Sequence, residues 1–338
     1  MRQLATVQQI ADIKPIEGAD AIEVATVLGW RVVVKKGEFK VGSKCVYFEI
    51  DSWIPHELAP FLSRGQYPKV YDGVEGNRLK TMKLRGQLSQ GLVLPVSILG
   101  RMPPVVGYDA TELLNIKKWE AAMSAQLAGV SRGAFPTAVP KTDEPRIQSS
   151  PALLKEFAGR DCYWTIKCDG TSGTFVNIDG DHHVCSRNLS LKDVEGNTYW
   201  EIYYKYNLKE ILDDNPNMAI QGEVVGEGIQ KNTMKLKGHH LFVFNVYDIK
   251  AGRLLNYDDL VAFCINNKLD MVPLYKRYVF NYTEVDDLVE EATQVKYPCG
   301  SSGEGVVIRP VEGFYCETAG GRASFKVINN KYLLKHNE

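Results

Sequence analysis

Short β-type runs separated by turn residues fill the first hundred positions of the chain. Runs rich in valine, isoleucine and aromatic residues occur at 5–10, 22–27, 31–34, 45–50 and 91–95. Glycine occurs between them at 18, 29, 37 and 42, and it marks turns because it adopts positive φ without steric cost. Strands this short and closely spaced favour a small closed β-barrel.

Five clusters of charged and small residues follow in the second half of the chain. They are Lys-Cys-Asp-Gly at 167–170, Ser-Arg-Asn at 186–188, Gly-Glu at 222–223, Glu-Gly-Val-Val-Ile-Arg at 304–309 and Ser-Phe-Lys-Val-Ile at 324–328. Each is weak alone, since the first could be a solvated turn and the fourth a buried strand led in by a glycine. Their occurrence together and in this order favours a chemical site.

The residue types in these clusters suit the transfer of a nucleotide to a lysine. A free lysine amine titrates near pH ~10.4, so its attack on a phosphate requires a pKa lowered by burial, a metal or neighbouring cations. We therefore expect Lys167 to lie in a closed pocket with other basic groups. Negative charge builds on the phosphate, and Mg²⁺ and Lys326 can neutralise it, while Glu223 and Glu304 hold the metal, its waters or the ribose hydroxyls.

From about residue 140 onward the chain resembles the RNA ligase branch of the covalent nucleotidyltransferase superfamily, which also contains DNA ligases and mRNA capping enzymes. The five clusters and residues 141–148 carry the resemblance. It implies that Lys167 becomes adenylylated, that Glu223 and Glu304 bind the metal, and that Lys326 contacts the α-phosphate. The catalytic and nucleotide-binding positions that it implies are Lys167, Asp169, Gly170, Arg187, Glu223, Phe244, Glu304 and Lys326. In one departure, Ile328 stands where several relatives carry a second lysine.

Residues 241–248 alternate apolar side chains as a strand does. In the family that the chain resembles, an aromatic residue of this strand stacks on the purine. Phe244 is our candidate for that position, and Tyr247 is the alternative in a shifted register. Simple packing in the core explains Phe244 equally well.

Composition describes a globular chain with room for two domains, since 44% of the 338 residues are hydrophobic and 24% are charged. No run of about 18 apolar residues exists and the first residues lack the apolar core of a signal peptide, so we expect a cytoplasmic protein without membrane partners. The seven cysteines are odd in number and form no Cys-x-x-Cys pair, which favours reduced thiols over disulfides or structural zinc.

A formal net charge of -1 argues against nucleic-acid binding by charge alone, but the distribution of the cations matters more. The candidate nucleic-acid-binding residues fall in one stretch that has no acid between its ends: Arg78, Lys80, Lys83 and Arg85. A solvated strand face is the equally plain alternative.

The first part of the chain resembles the amino-terminal OB domain of one group of nick-sealing RNA ligases. The similarity lies in residues 29–30, 36–39, 47–51 and 83–91, and OB barrels commonly bind oligonucleotides. We predict an α+β protein with an OB-type β-barrel at 1–105, a connector at 106–139 and an antiparallel-sheet nucleotidyltransferase domain at 140–338. Helical patterns occur at 111–127, 153–159, 199–212, 257–267 and 285–293.

The resemblance predicts an ATP-dependent RNA ligase that requires Mg²⁺ or Mn²⁺. It would join a 3′-OH RNA end to a 5′-phosphate end at nicks in duplex RNA or RNA–DNA hybrids, through a lysyl-AMP intermediate and an AMP-capped 5′ end. A DNA ligase or a capping-type guanylyltransferase shares the lysine chemistry, and a non-catalytic nucleic-acid-binding protein is the alternative of another class. The oligomeric state stays open, with a monomer as our expectation.

Overall fold

The computed structural model describes residues 2–120 and 130–336. The chain divides into two compact units. The N-terminal unit comprises Met1–Ala122, Gln148–Pro151 and Leu333–Glu338, and the C-terminal unit comprises Met123–Ile147 and Ala152–Tyr332. None of the helices within the described ranges is long and apolar enough to cross a membrane.

Antiparallel strands build the N-terminal unit. In chain order they are β1 (Ala5–Pro15), β2 (Ile22–Val27), β3 (Trp30–Lys35), β4 (Lys44–Phe48), β5 (Ser52–Pro55), β6 (Lys69–Tyr71), β7 (Val74–Arg78), β8 (Met82–Leu84), β9 (Gln87–Ser89), β10 (Leu92–Pro95) and β11 (Lys117–Lys118). One sheet has the order β10-β4-β1-β2-β3 and a second the order β11-β5-β7-β6, while β8 and β9 form a hairpin. All five predicted strand regions are confirmed.

The long first strand serves two partners. Its first half pairs with β4 and its second half with β2, and the register shifts between Ile10 and Asp12. A bulge at such a point bends a strand and increases its twist, so one strand can continue around a curved sheet. Trp30 and Tyr47 are buried, and their rings stack with centroids 6.2 Å apart.

The helix predicted at 111–127 is wrong in its described part. Residues 111–115 form a turn and β11 follows, while residues 121–129 lie outside the described residues. The helical spacing arose because Ala110 and Leu114 are both buried, together with Ile116, in the core of the N-terminal unit. Tertiary packing accounts for that spacing without a helix.

Two large antiparallel sheets, a further two-stranded sheet and short helices build the C-terminal unit. Its strands are β12 (Ser131–Ala134), β13 (Asp161–Ile166), β14 (Thr171–Ile178), β15 (Asp181–Cys185), β16 (Leu189–Leu191), β17 (Met218–Gly226), β18 (His239–Asp248), β19 (Arg253–Leu254), β20 (Leu274–Val279), β21 (Gly305–Pro310), β22 (Tyr315–Cys316), β23 (Gly321–Arg322) and β24 (Phe325–Ile328). The larger sheet has the order β12-β16-β15-β14-β17-β18-β19 and the smaller the order β20-β13-β21-β24, while β22 and β23 form the two-stranded sheet. The predicted α+β class is confirmed.

Three helices lie close to the predicted patterns at 153–159, 257–267 and 285–293, and a helix that was not predicted lies near the end of the chain. The described helices are α1 (Leu153–Phe157), α2 (Thr198–Lys205), α3 (Leu208–Asp214), α4 (Tyr257–Asn266), α5 (Val285–Ala292) and α6 (Asn330–His336). The single helix predicted at 199–212 is two helices, because Asn207 between them has a φ of 50°, which a continuing right-handed helix does not permit.

Strand order places the motif residues of the C-terminal unit. Lys167 directly follows β13, Glu304 directly precedes β21, and Lys326 lies in β24, so all three lie in or next to strands of the smaller sheet. Glu223 and Phe244 lie on β17 and β18 of the larger sheet. Residues from both sheets, among them Ile166 and Val225, share one apolar core.

Candidate active site

The backbone around Lys167 is fixed by close approach to neighbouring strands. The Lys167 N–H donates to the carbonyl oxygen of Gly305 at 2.9 Å. Gly170 lies so near β17 that a Cβ there would come within 2.5 Å of the Val224 carbonyl oxygen. Gly305 has a φ of +149°, and a Cβ there would meet the Val327 carbonyl oxygen at 2.1 Å. The glycines of the first and fourth clusters are thus required by packing.

Carboxylates surround the Lys167 amine. Lys167 Nζ lies 2.6 Å from Glu304 Oε1, and the two side chains are 28% and 13% exposed. Burial lowers the pKa of Lys167, but Glu304, Glu223 and Asp169 together raise it above its usual value. The expectation that basic groups surround Lys167 and lower its pKa is wrong, because the neighbouring segments of the chain contribute acids.

Glu223 and Asp169 complete this acidic group. Burial raises the pKa of Glu223 to about 7, with Glu304 and Asp169 adding to the effect and Lys167 opposing it. Asp169 is buried and accepts a hydrogen bond from the Thr233 hydroxyl at 3.1 Å. Near neutral pH, Glu223 is therefore poised between its charged and protonated forms.

The two glutamates fit a divalent cation of the magnesium type. No group of three or more histidine, cysteine, aspartate or glutamate side chains among residues 2–120 and 130–336 forms a complete metal-binding cage. Mg²⁺ is commonly held by one or two carboxylates, waters and substrate phosphates. Glu223 and Glu304 provide two such carboxylates, and the charge of Glu304 adds to burial in raising the pKa of Glu223, so a cation beside them would be stabilised.

Asp143 brings two of the predicted cations together. Its carboxylate lies 3.1 Å from Lys326 Nζ and 3.3 Å from an Arg187 nitrogen. Lys326 is mostly buried, while Arg187 and Asp143 are about half exposed. The backbone N–H of Lys326 also donates to the Pro145 carbonyl oxygen at 2.8 Å. Pro145 belongs to residues 141–146, a segment that we call the strap. The sequence contained the strap but gave no sign that Asp143 joins the two cations.

Phe244 and Tyr247 face different cores. Phe244 is half-buried against the cluster that contains Ile166 and Cys168, which flank Lys167. Tyr247 packs instead against the cluster of Phe135, Val139 and neighbouring residues. This placement favours Phe244 over Tyr247 as the residue facing a nucleotide, and the stacking itself stays a prediction.

Ile328, the departure from the family pattern, is buried and 2% exposed. It ends β24 and pairs with Gly305 in the sheet register. An apolar side chain therefore occupies this position in the core of the unit.

The basic stretch of the N-terminal unit divides into two parts. Arg78 pairs with Asp51 at 2.6 Å and lies 3.7 Å from the centroid of the Trp119 ring. Lys83 and Arg85 are exposed on the β8–β9 hairpin, whereas Lys80 is half-buried. Lys83 and Arg85 are thus the members of the stretch most open to a ligand.

The sequence did not reveal a buried cluster beside the strap. Glu144 accepts hydrogen bonds from Arg309 at 2.9 Å and Arg322 at 2.8 Å. Burial opposes ionisation of Glu144, yet the two guanidinium groups lower its pKa to about 2. The three side chains border a cavity of about 480 Å³ that also touches Gln221 and Asn245.

These residue types suit a nucleotidyltransferase: Lys167 follows β13 of the smaller sheet, Glu304 precedes the next strand, and Lys326 lies on β24 at the edge of that sheet. A family model described as RNA ligase matches residues 160–328, and a model described as OB-fold domain matches residues 4–96. The chain belongs to the RNA ligase family, and it carries an OB-fold domain before the ligase region. The predicted resemblance is confirmed.

Solved structures agree with this assignment over the whole chain. An apo mutant of the Naegleria gruberi RNA ligase superposes with a TM-score of 0.92 at 37% identity, covering 99% of this chain and 98% of that one. Another mutant of the same ligase, with ATP and Mn, gives 0.90 at 37% identity and covers 99% of each chain. The ligase with PPi gives 0.90 at 37% identity, covering 100% of this chain and 99% of that one. A search of curated proteins finds no match.

Proposed function

We propose that this RNA ligase uses ATP and joins a 3′-OH RNA end to a 5′-phosphate end at nicks in duplex RNA or RNA–DNA hybrids. The observation that carries the proposal is the contact of Lys167 with Glu304 at 2.6 Å, within a fold that matches the Naegleria ligase along its full length. That ligase has been solved with ATP and Mn, with PPi and with AMP and Mn. These ligands are the ones that lysine adenylylation consumes, releases or retains.

The proposed reaction has three steps. In the first, the Lys167 amine attacks the α-phosphorus of ATP, a phosphorus–nitrogen bond forms, pyrophosphate leaves and the amine gives up a proton. In the second, an oxygen of the 5′-phosphate attacks the same phosphorus, so AMP passes to the RNA end and Lys167 leaves as an amine. In the third, the 3′-hydroxyl attacks the activated 5′-phosphorus, the phosphodiester forms and AMP is released.

The charges around Lys167 set a requirement for the first step. Lys167 holds its proton because three acids raise its pKa, and a protonated amine is not a nucleophile. Glu223 and Glu304 would hold a divalent cation, whose positive charge would offset those acids and the negative charge growing on the phosphate. Lys326 and Arg187 already lie together at Asp143, where a phosphate group can replace the carboxylate as their partner.

The protein is expected to read the sugar on the 3′-OH side of the nick. An RNA strand there favours A-form geometry, which displays 2′-hydroxyls in a wide, shallow minor groove. Ligation should therefore be efficient when the last nucleotides before the 3′-OH are RNA and poor when they are DNA, whichever sugar the 5′-phosphate strand carries.

The test is a sealing assay on nicked duplexes that differ only in those terminal sugars. The Lys167→Ala variant serves as the control for sealing that does not depend on the proposed nucleophile. Equal rates for ribose and deoxyribose 3′-OH ends would contradict the RNA assignment and favour a DNA ligase.

A further inference from the structure

Tyr297 joins the two residues at the centre of the proposed site. Its hydroxyl donates to the carbonyl oxygen of Lys167 at 2.9 Å and accepts a hydrogen bond from the backbone N–H of Glu304 at 3.2 Å. Lys167 and Tyr297 are 130 positions apart in the chain. One phenol oxygen therefore connects the end of β13 to the start of β21.

The loop that carries Tyr297 is itself well ordered by backbone hydrogen bonds. The Tyr297 N–H donates to the Ser301 carbonyl at 2.9 Å, and the Gly300 N–H donates back to the Tyr297 carbonyl at 2.8 Å. The Gly303 N–H donates to Val295 at 2.8 Å, which closes the loop between α5 and β21. Tyr297 lies in the apolar core of the C-terminal unit and is 2% exposed. Packing around the ring therefore fixes the position of the hydroxyl.

Both backbone groups of Lys167 are hydrogen-bonded to the segment around Glu304. The N–H donates to Gly305, and the carbonyl accepts from Tyr297, which in turn holds Glu304. The Lys167 and Glu304 side chains meet at 2.6 Å because their main chains are clamped together in this way. Loss of the phenol oxygen would remove the hydrogen-bond partner of a partly buried carbonyl and a partly buried N–H, and the two main chains would be free to separate.

We propose that Tyr297 is a positioning residue for adenylylation, holding the Lys167 and Glu304 main chains in the relative placement that the attack on ATP requires. The inference rests on the proposed function, since it assigns Tyr297 a part in the same lysine chemistry. Displacements near one ångström at a reacting group reduce rates by roughly 100-fold. Tyr297 itself touches neither ATP nor the reacting atoms in this account.

The experiment compares Tyr297→Phe with the unmodified full-length protein in single-turnover transfer of labelled AMP from ATP. We expect the rate constant to fall roughly 10- to 100-fold, while the KM for ATP stays within about twofold because the phenol does not contact the nucleotide. The final labelled fraction should be unchanged, because this fraction counts folded, competent molecules. A role limited to stability would lower the labelled fraction and leave the rate constant alone, and that result would overturn the proposal.

Amide hydrogen exchange of the ligand-free protein gives a second readout that does not depend on activity. The Glu304 N–H should exchange faster in Tyr297→Phe, since its acceptor is gone. Tyr203→Phe is the matched control: Tyr203 is also 2% exposed in the same unit, and its hydroxyl contacts His182 at 2.7 Å rather than the site. Unchanged exchange at Glu304 would also overturn the proposal.

A parallel Lys167→Ala sample separates failure of this inference from failure of the proposed function. No label on Lys167→Ala together with a normal rate for Tyr297→Phe would reject only the role of Tyr297. Full labelling of Lys167→Ala would reject the lysyl-AMP chemistry, and the positioning role would fall with it.

Discussion

Glu223 and Glu304 lie on opposite sheets and reach the same lysine. Glu304 contacts Lys167 Nζ directly, and Glu223 acts on it through charge. Their carboxylates are the groups in the described site best suited to bring a divalent cation to the phosphate. Charge, rather than shape or hydrogen bonding, should therefore be what the reaction needs from each of them.

Glu304→Gln and Glu223→Gln keep the shape of each side chain and remove its charge. Each should reduce the rate of AMP transfer to the protein by roughly 100-fold, the scale seen when an electrostatic stabiliser leaves a transfer site. Glu210→Gln, an exposed glutamate on α3 of the same unit, is the control and should keep the full rate. Full activity of the Glu304→Gln protein would show that its role is hydrogen bonding or structural.

Glu144 should contribute to stability in a pH-dependent way. Its pKa is about 2 in the folded protein against a usual 4.5, so its contribution is complete above about pH 4.5 and is lost as the pH falls toward 2. The Glu144→Gln variant lacks this contribution at every pH. The difference in free energy of unfolding between the two proteins should therefore shrink by on the order of 3 kcal/mol as the pH falls from about 6 to about 2.

Urea unfolding of both proteins at several pH values measures this convergence. Other carboxylates titrate alike in both proteins, so the difference between the two isolates Glu144. A gap that does not change with pH would mean that Arg309 and Arg322 do not hold Glu144 ionised.

Some residues of the site could be predicted from the sequence, and others could not. Lys167, Glu223 and Glu304 could be proposed as site residues from their motif clusters, and the structure brings their charges together; their roles stay predictions. Tyr297 lies in a loop with no motif, and Asp143 carries no sign of its two partners. Contacts that join positions 130 or more apart, such as Tyr297 with Lys167 and Asp143 with Lys326, depend on strand order, which local patterns do not contain.

At the scale of elements, the β8–β9 hairpin is the part of the N-terminal unit most ready to contact a phosphate backbone. Lys83 and Arg85 are exposed on it, and Arg85 lies in the turn, with a φ of 49°. Arg78, by contrast, is already paired with Asp51. If residues 78–85 bind RNA phosphates, the positive charge should therefore come mainly from the β8–β9 hairpin.

A double variant, Lys83→Gln with Arg85→Gln, should weaken RNA binding and flatten its dependence on salt. The slope of log K against log salt should fall by up to about 0.9 for each phosphate that the protein no longer neutralises. Lys155→Gln with Lys250→Gln removes the same charge from exposed positions of the other unit and should change the slope less. Equal slopes for both double variants would show that the hairpin does not bind RNA specifically.

Sequence patterns predicted most helices and strands, because the spacing of apolar residues within a segment favours one type of secondary structure. Strands β2 and β3 and helices α4 and α5 lie within a residue or two of their expected bounds, since alternation and helical spacing were clear there. The helix expected from 111 onward was wrong in the described residues because Ala110, Leu114 and Ile116 pack into a strand-built core. In a turn, these residues have the same spacing of buried side chains as in a helix, so the sequence alone does not distinguish the two structures.

For the whole molecule, the proposed function depends on one chemical event, the transfer of AMP to Lys167. The net charge of -1 and the two units say little about function by themselves. The order of the two regions, an OB-fold domain before an RNA ligase region, matched the resemblance seen in the sequence. The boundaries at 105 and 140 stay predictions, although β12, at residues 131–134, already pairs with β16 of the larger sheet.

Peptide mapping by mass spectrometry, after the full-length protein reacts with ATP and Mg²⁺ or Mn²⁺, tests whether Lys167 is the nucleophile. GTP and NAD, offered separately, are the controls for nucleotide choice. We expect a single AMP adduct, formed from ATP, on the peptide that contains Lys167, and no adduct on the Lys167→Ala protein. An AMP adduct on another residue, or retained labelling of Lys167→Ala, would contradict that role of Lys167.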